Sequence, residues 1–520
     1  MGLGWNWLRR ASRTLWIVAA IIPFVALPVP AQSLESLTTA TADNVPPSPE
    51  ELSSADNVAA TLFSDAPPDD DARIRRIVQE YMNELDAQRN AADASRAAKS
   101  SEGDPLDLKA NWKNGLTLSN KKGDFKVHVG GRTQFDTAWF GVPQDIQNDP
   151  TIANRWGDGV DFRRLRLKVD GTMYDFIDWA CQVDFINSVR AGGVNTAVPA
   201  PTDLWWTFTK LPGIGNIRVG NQKEAIGFEH LVSSRFLPFM ERSFNQDAFY
   251  GGFNNGFTPG ISAFNTALDE NMTWNVGIFK PTNNAFAFST TTGDYAATGR
   301  ITFLPWYEDE GRELVHLGFS ARQASGYNDT YRLRTRAPIR SGISAVWPLI
   351  GDTGTFASDN HQQFNWELVG VRGPFTFQAE YLLNFTDSTV AANGTDIGNA
   401  MFHGGYAQVL YYLTGEHDEY SRKTAVFERV VPRRNARPNG RMVPLFCDGA
   451  WQVGARYDYL DLDYGAIRGG MLNDLTTGLN WFLNPNMKIQ WNYTASHRNS
   501  GSGIGDGWVH GFGMRFAHDF

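Results

Sequence analysis

From about residue 124 to the last residue the chain repeats one pattern, with large apolar side chains on every second position and long polar or charged ones between them. In FKVHVGGRTQFDTAWF, Phe125, Val127, Val129, Phe135 and Trp139 hold one parity, and Lys126, His128, Arg132, Gln134 and Asp136 hold the other. Successive side chains of a strand point to opposite faces, so this is a strand with one apolar and one polar face. RRLRLKVDG repeats the pattern, setting Leu165, Leu167 and Val169 against Arg164, Arg166, Lys168 and Asp170. WQVGARYDYL sets Trp451, Val453, Ala455, Tyr457 and Tyr459 against Gln452, Arg456 and Asp458. The last segment, VHGFGMRFAHDF, puts Phe512, Met514, Phe516, His518 and Phe520 on one face.

A soluble sandwich also alternates, so the choice of environment rests on the charged face. Arg164, Arg166 and Lys168 on lipid would each cost roughly 2–4 kcal/mol at the membrane midplane, so they must face water and the apolar face must face lipid. Aromatic pairs at segment ends, Trp139-Phe140, Trp205-Trp206, Tyr411-Tyr412 and Trp481-Phe482, suit interfacial girdles. Sixteen such segments begin near residues 124, 160, 177, 202, 216, 257, 272, 295, 314, 362, 374, 402, 450, 474, 487 and 509. The expected fold is therefore all-β: a 16-stranded antiparallel transmembrane β-barrel over residues 120–520. Short turns are expected at 372–374 and 484–486, and long loops near 141–159, 222–256, 323–360 and 414–449.

The N-terminal residues read differently. Arg9, Arg10 and Arg13 precede an apolar run of 13 residues, Leu15 to Leu27, followed by Val29-Pro30-Ala31. The run is short of the ~20 residues a spanning helix needs, so residues 1–31 are a signal peptide for Sec export. Residues 32–68, rich in Ser, Thr, Ala, Asp and Pro, read as a flexible linker. Residues 69–99 open with Asp69, Asp70 and Asp71, and then Ile74, Val78, Tyr81 and Leu85 follow at helical spacing. They form a short amphipathic, coiled-coil-like periplasmic helix, read either as a self-associating element or as a solvated spacer.

The formal charge of -9 divides unevenly. Residues 32–110 hold seven Lys/Arg against sixteen Asp/Glu, whereas 111–520 hold 37 against 40. Selectivity in the barrel must come from where charges sit, not from their sum. Nothing in this balance suits nucleic acid. GxSxG, HExxH and P-loop patterns are absent, so no enzyme, cofactor or metal site is expected, and the loop cluster Glu416-His417-Asp418-Glu419 is read as a turn. Cys181 shares the apolar parity and Cys447 lies far from it, so no disulfide is required.

At this point the chain resembles the porin O and P family, the phosphate- and polyphosphate-selective outer-membrane porins. The stretches that carry the resemblance are GGRTQFD, FRRLRLKVDG, VGNQKEAIGFEHLVSSRFLPFMERS, YAQVLYYLTGEHDEY, WQVGARYDYLDL, GLNWFLNPNMKIQWNY and RFAHDF, spread over residues 120–520. The resemblance implies a homotrimeric outer-membrane channel passing small anionic solutes, phosphate or polyphosphate among them, through an arginine-lined constriction. It places the family's arginine strand on Arg163, Arg164 and Arg166, and the constriction loop on Ser233 to Ser243 with Arg235 and Arg242 as its cations.

Arg132 and Lys168 join these as lumen cations. By parity Arg163 faces lipid, so it is expected at the rim or at a bulge. Guanidinium groups bind phosphate in a planar, bidentate way and stay charged at working pH. Against this, Asp136, Asp170, Asp184 and Asp458 occupy the same polar faces and are placed to neutralise the arginines, as in a general, non-selective porin. A structural or adhesive outer-membrane anchor is the reading from another class. The basic stretch Arg422, Lys423, Arg429, Arg433, Arg434, Arg437 and Arg441 reads as an extracellular funnel, or as a loop on lipopolysaccharide phosphates beside the outer-membrane lipids. The aromatic terminus, Phe516 and Phe520, suits an assembly signal.

Overall fold

The computed structural model describes residues 68–101, 108–149, 152, 156–191, 194–250, 256–281, 293–326, 328–437, 448–500 and 505–520. The expected signal peptide, the expected linker up to residue 67, Arg441 and Cys447 lie outside them. Two compact units divide between Ala98 and Lys99.

In the first, a single helix α1 (Pro68–Ser101) covers the predicted 69–99. No Pro or Gly interrupts it after Pro68. Three residues of its apolar stripe are exposed: Val78 is 50% exposed, Tyr81 64% and Leu85 43%.

The second is a closed barrel entered through a hairpin, β1 (Leu108–Trp112) and β2 (Leu116–Asn120). Its sixteen strands are β3 (Lys126–Gly141), β4 (Gly159–Met173), β5 (Ile177–Ala191), β6 (Val194–Leu211), β7 (Gly215–Lys223), β8 (Phe257–Ala267), β9 (Met272–Phe279) and β10 (Ala296–Glu308), then β11 (Glu313–Ser325), β12 (Asn360–Arg372), β13 (Phe375–Val390), β14 (Asp396–Tyr412), β15 (Ala450–Tyr464), β16 (Ile467–Asn484), β17 (Met487–Asn499) and β18 (Gly507–Asp519). Each pairs antiparallel with the next, and β18 closes on β3 from His510↔Gly141 to Asp519↔Arg132. The terminal Phe520 stays on that seam, its N–H donating to Gly131 O and its own O accepting from Gly131 N. Beyond that point β2 takes over the edge of β3, pairing Leu116↔Val129 to Ser119↔Lys126.

Burial confirms the two faces. Arg132, Gln134 and Asp136 are 6%, 1% and 0% exposed, whereas Leu165, Leu167 and Trp206 on the other parity are 36%, 44% and 52%. A one-residue slip would exchange these sets, so the charge alternation locks the register.

Turns 174–176, 212–214, 268–271, 309–312, 373–374 and 485–486 lie at one end with the C-terminus. That is the periplasmic end of an outer-membrane barrel. The opposite end carries 142–158, 224–256 and 326–359. The segment 413–449 follows the twelfth barrel strand and therefore belongs to the short-turn end, so the expected extracellular funnel is corrected: its described cations lie on the periplasmic side. There Arg429 and Arg422 tie the segment to the barrel, and Arg433 braces it internally. Arg429 bonds the Asp519 carboxylate and the Pro485 carbonyl, Arg433 donates to Gly415 O at 2.6 Å, and the Arg422 guanidinium lies 4.9 Å from the Tyr307 ring centre.

Three of these long connections fold back into the lumen and build small cores there. Ile226, Phe244 and Phe249 of loop 224–256 pack with Tyr331, Leu333 and Ile350 of loop 326–359. Phe228, Val232 and Leu237 pack with Tyr420, Val426 and Phe427, which enter from the other end.

Candidate functional site: a cationic constriction

Loop 224–256 leaves β7 and crosses the lumen. Gly227, at φ +69°, turns it inward, and a Cβ there would meet Glu380 Oε1 at 2.9 Å. That turn lets Phe228 N and Glu229 N donate to the Glu380 carboxylate at 2.6 and 2.9 Å, while Gly227 N reaches Ser320 Oγ at 3.1 Å. On the far wall Lys488 Nζ donates to Leu237 O and Asn480 Nδ2 to Pro238 O, both at 2.7 Å. Gln134 Nε2 holds Ser234 O at 3.0 Å. The loop is pinned at both sides of the barrel, across the lumen.

The predicted cations divide into two groups. Arg132, from β3, donates to Ser234 Oγ at 2.7 Å, Ser233 Oγ at 3.3 Å and Gln182 Oε1 at 2.8 Å. Arg242, from the loop, donates to Glu229 O at 2.9 Å and Val232 O at 2.5 Å. Both donate to neutral oxygens. Arg166 and Lys168 instead meet carboxylates, Asp184 at 2.6 Å and Asp170 at 3.3 Å. Arg235 stands 3.6 Å from Asp519.

Arg163 resolves the parity question. Gln134 faces Arg164 while its neighbour Phe135 faces Phe162, so Arg163 is the extra residue of a β-bulge. The bulge re-aims it into the lumen, where Nε and Nη2 donate to the two oxygens of Glu241 at 2.8 and 3.1 Å. Arg164 Nη2 lies 3.5 Å from the same carboxylate. These two arginines are therefore paired with a carboxylate of the loop and are not left unopposed.

Sequence reasoning missed several members. Lys223 Nζ donates to His230 O, and the Arg218 guanidinium lies 3.9 Å from the Trp205 ring centre. Arg515, 0% exposed, grips Asp136 in a bidentate pair at 2.7 and 2.6 Å and reaches Glu241 at 3.0 Å. Its inward parity between Met514 and Phe516 was the available signal. Burial alone would push the Glu241 carboxyl up, but Arg163, Arg164, Arg340 and Arg515 hold it well below the usual range. Burial opposes Asp247 in the same way, and Arg340 and Arg336 bring it down.

The sequence profile of the phosphate-selective porin O and P family matches residues 127–517. The chain belongs to that family. It is an outer-membrane porin, a channel protein. Porin O of Pseudomonas aeruginosa is 24% identical over 434 residues, covering 78% of this chain and 92% of its own. An uncharacterised protein of Caulobacter vibrioides is 26% identical over 395 residues, covering 74% of this chain and 70% of its own. Among solved structures, the anion-selective porin from Comamonas acidovorans aligns with a TM-score of 0.44 at 10% identity, over 76% of this chain and 100% of that one. OmpT of Vibrio cholerae, expressed in the outer membrane, aligns with 0.44 at 10%, over 77% and 100%.

Proposed function

We propose that this porin conducts small anions down their gradient, with inorganic phosphate or short polyphosphate as the solutes its constriction suits best. The observation that carries this is the way Arg132, Lys223 and Arg242 are held: each cation bonds hydroxyl, amide or backbone oxygens and none bonds a carboxylate. Their charge is left to act on the solute, and rings of Arg or Lys in a pore select anions. Guanidinium pairs offer phosphate bidentate hydrogen bonds that chloride cannot use in the same way, which favours the oxyanion. The chemistry is passive. A solute exchanges hydration for these donors and moves on, with no covalent step.

The reversal potential of purified protein in a KCl gradient tests the anion preference, and a cation-preferring value refutes it. Phosphate titrated into chloride then tests the finer reading: it should block chloride current at concentrations well below those of chloride itself. A general porin is the second reading, favoured by the Arg166–Asp184 and Lys168–Asp170 pairs; it requires a permeability ratio near one.

The working assembly we propose is a homotrimer, tested by oligomers that persist in detergent until heated. Residues 1–31 act as the export leader, 32–68 as a linker, 69–99 as a periplasmic helix and 120–520 as the pore. Phe516, exposed on the lipid face, and Phe520 on the closing seam serve as the assembly signal.

A further inference from the structure

We infer that Glu241 sets how strongly this pore prefers anions, because it decides how much of the arginine charge around the constriction is cancelled. The inference rests on the reading of the pore as anion-preferring.

Glu241 is 3% exposed and touches four guanidinium groups from three places in the sequence. Arg163 from the β4 bulge lies at 2.8 Å, Arg515 from β18 at 3.0 Å, Arg340 from loop 326–359 at 3.4 Å and Arg164 at 3.5 Å. Asp136 pairs with Arg515, and Asp247 pairs with Arg340 and Arg336. Five guanidinium groups thus meet three carboxylates, leaving an excess of two positive charges in this cluster. Arg242 is the next residue along the chain and Arg166 shares the inward face of Arg164, which puts this excess beside the cations of the proposed constriction. The cluster is a charge reservoir beside the pore, and Glu241 is its largest single regulator.

A purely structural role would make the same contacts, but the loop does not depend on this carboxylate for its path. Lys488 holds Leu237 O, Arg515 holds Met240 O, and Arg456 Nη1 donates to Glu241 O at 3.1 Å. Ser243 N donates to Glu229 Oε2 at 2.9 Å. Backbone bonds on either side of residue 241 therefore keep the loop in place when only the charge of the side chain is removed. Glu241→Gln keeps the shape and an accepting oxygen, and it releases one full positive charge within about one Debye length of the conduit.

The test is the reversal potential of the full-length protein in a KCl gradient near 0.1 M. Glu241→Gln is expected to raise the anion-over-cation permeability ratio about threefold. An unchanged or lowered ratio overturns the inference. The double variant Glu241→Gln/Arg163→Gln restores the charge count and is expected to return the ratio to native; a double variant that behaves as the single one overturns the charge account. Where Glu241→Gln fails to assemble, Arg340→Gln reads the same cluster from the other sign and should lower the ratio, and a ratio that stays or rises overturns the inference. The native protein separates the two claims. A cation-preferring native channel refutes the pore reading itself, whereas an anion-preferring native channel with no shift in the variants refutes only the role of Glu241.

Discussion

Arg166 and Asp184 face each other across the β4–β5 ladder, with Nε of the arginine 2.6 Å from Oδ2 of the aspartate. The pair sits on the inward face, and Asp184 also accepts from Ile186 N at 3.1 Å, so the carboxylate is fixed in place. An arginine paired in this way contributes little field to a passing anion.

Asp184→Asn should therefore increase anion preference without touching a cation. The freed Arg166 joins Arg132 and Arg242, and a roughly two- to threefold rise in the permeability ratio is expected in ~0.1 M salt, from a unit charge at about one Debye length in a medium of effective dielectric near 20. The reversal potential reads it directly. A fall in the ratio would mean that Arg166 does not face the conduit.

Position along the pore decides the weight of each cation. Arg242→Glu inverts a charge held inside the constriction by Glu229 O and Val232 O, while Arg437→Glu inverts one on an exposed residue of the segment at the periplasmic end. Exposed charges are screened over ~10 Å at 0.1 M salt, and confined ones less so. The first variant should reduce anion preference severalfold and the second hardly at all. Equal effects in bilayer recordings would show that loop 224–256 is not the constriction.

The charge pairs that this loop makes through Glu241 and Asp247 should also resist mild acid. Glu241 and Asp247 have carboxyls held below the ordinary range by their arginines, despite burial. A depressed native value means that the stabilisation is fully present above the ordinary carboxyl range near pH 4 and is lost only as pH falls through the lower native values. Any change in single-channel conductance or noise between about pH 7 and 5 should therefore appear equally in Glu241→Gln, because Glu241 stays ionised throughout that range. A response in that window that the variant loses contradicts the pairing.

Much of this was legible in the sequence, for a physical reason. Lipid outside and water inside force a period of two on every strand, so all sixteen strands were located from alternation alone, and Arg132 and Arg166 were correctly put on the wet face. What alternation cannot show is where it breaks. Arg163 reaches the lumen through a bulge, and its partner Glu241 is 78 residues away. Lys223 shares the parity of Ile217 and Val219, and only the turn of the chain beyond β7 brings its Nζ to His230 O. The segment 413–449 was read by its length, which says nothing of which end it occupies; counting strands before it places it at the periplasmic end. Charge pairs such as Arg515 with Asp136 join the first and last barrel strands, and the sequence distance between them hides the contact that barrel closure creates.

That periplasmic segment supports the constriction from below, and Phe427 is the point of contact. It is 7% exposed and meets Phe228 edge-on at 5.0 Å between ring centres, beside Tyr420, whose hydroxyl is 2.8 Å from His316 Nδ1. Truncating a buried phenylalanine to alanine costs about 3–5 kcal/mol where the site cannot collapse. The barrel ladder does not pass through Phe427, which pairs only with Tyr420 in a separate two-stranded ladder, so Phe427→Ala should still assemble into heat-modifiable barrels. The loss falls on the packing between residues 420–427 and the short turn Phe228–Leu231, which lies at the start of the constriction loop. Larger and noisier single-channel currents are therefore expected, with the anion preference reduced because the cations of the loop sit less close to the solute. Currents as quiet and as small as native would show that the loop is held by its wall contacts alone, through Glu380 at one side and Lys488 and Asn480 at the other.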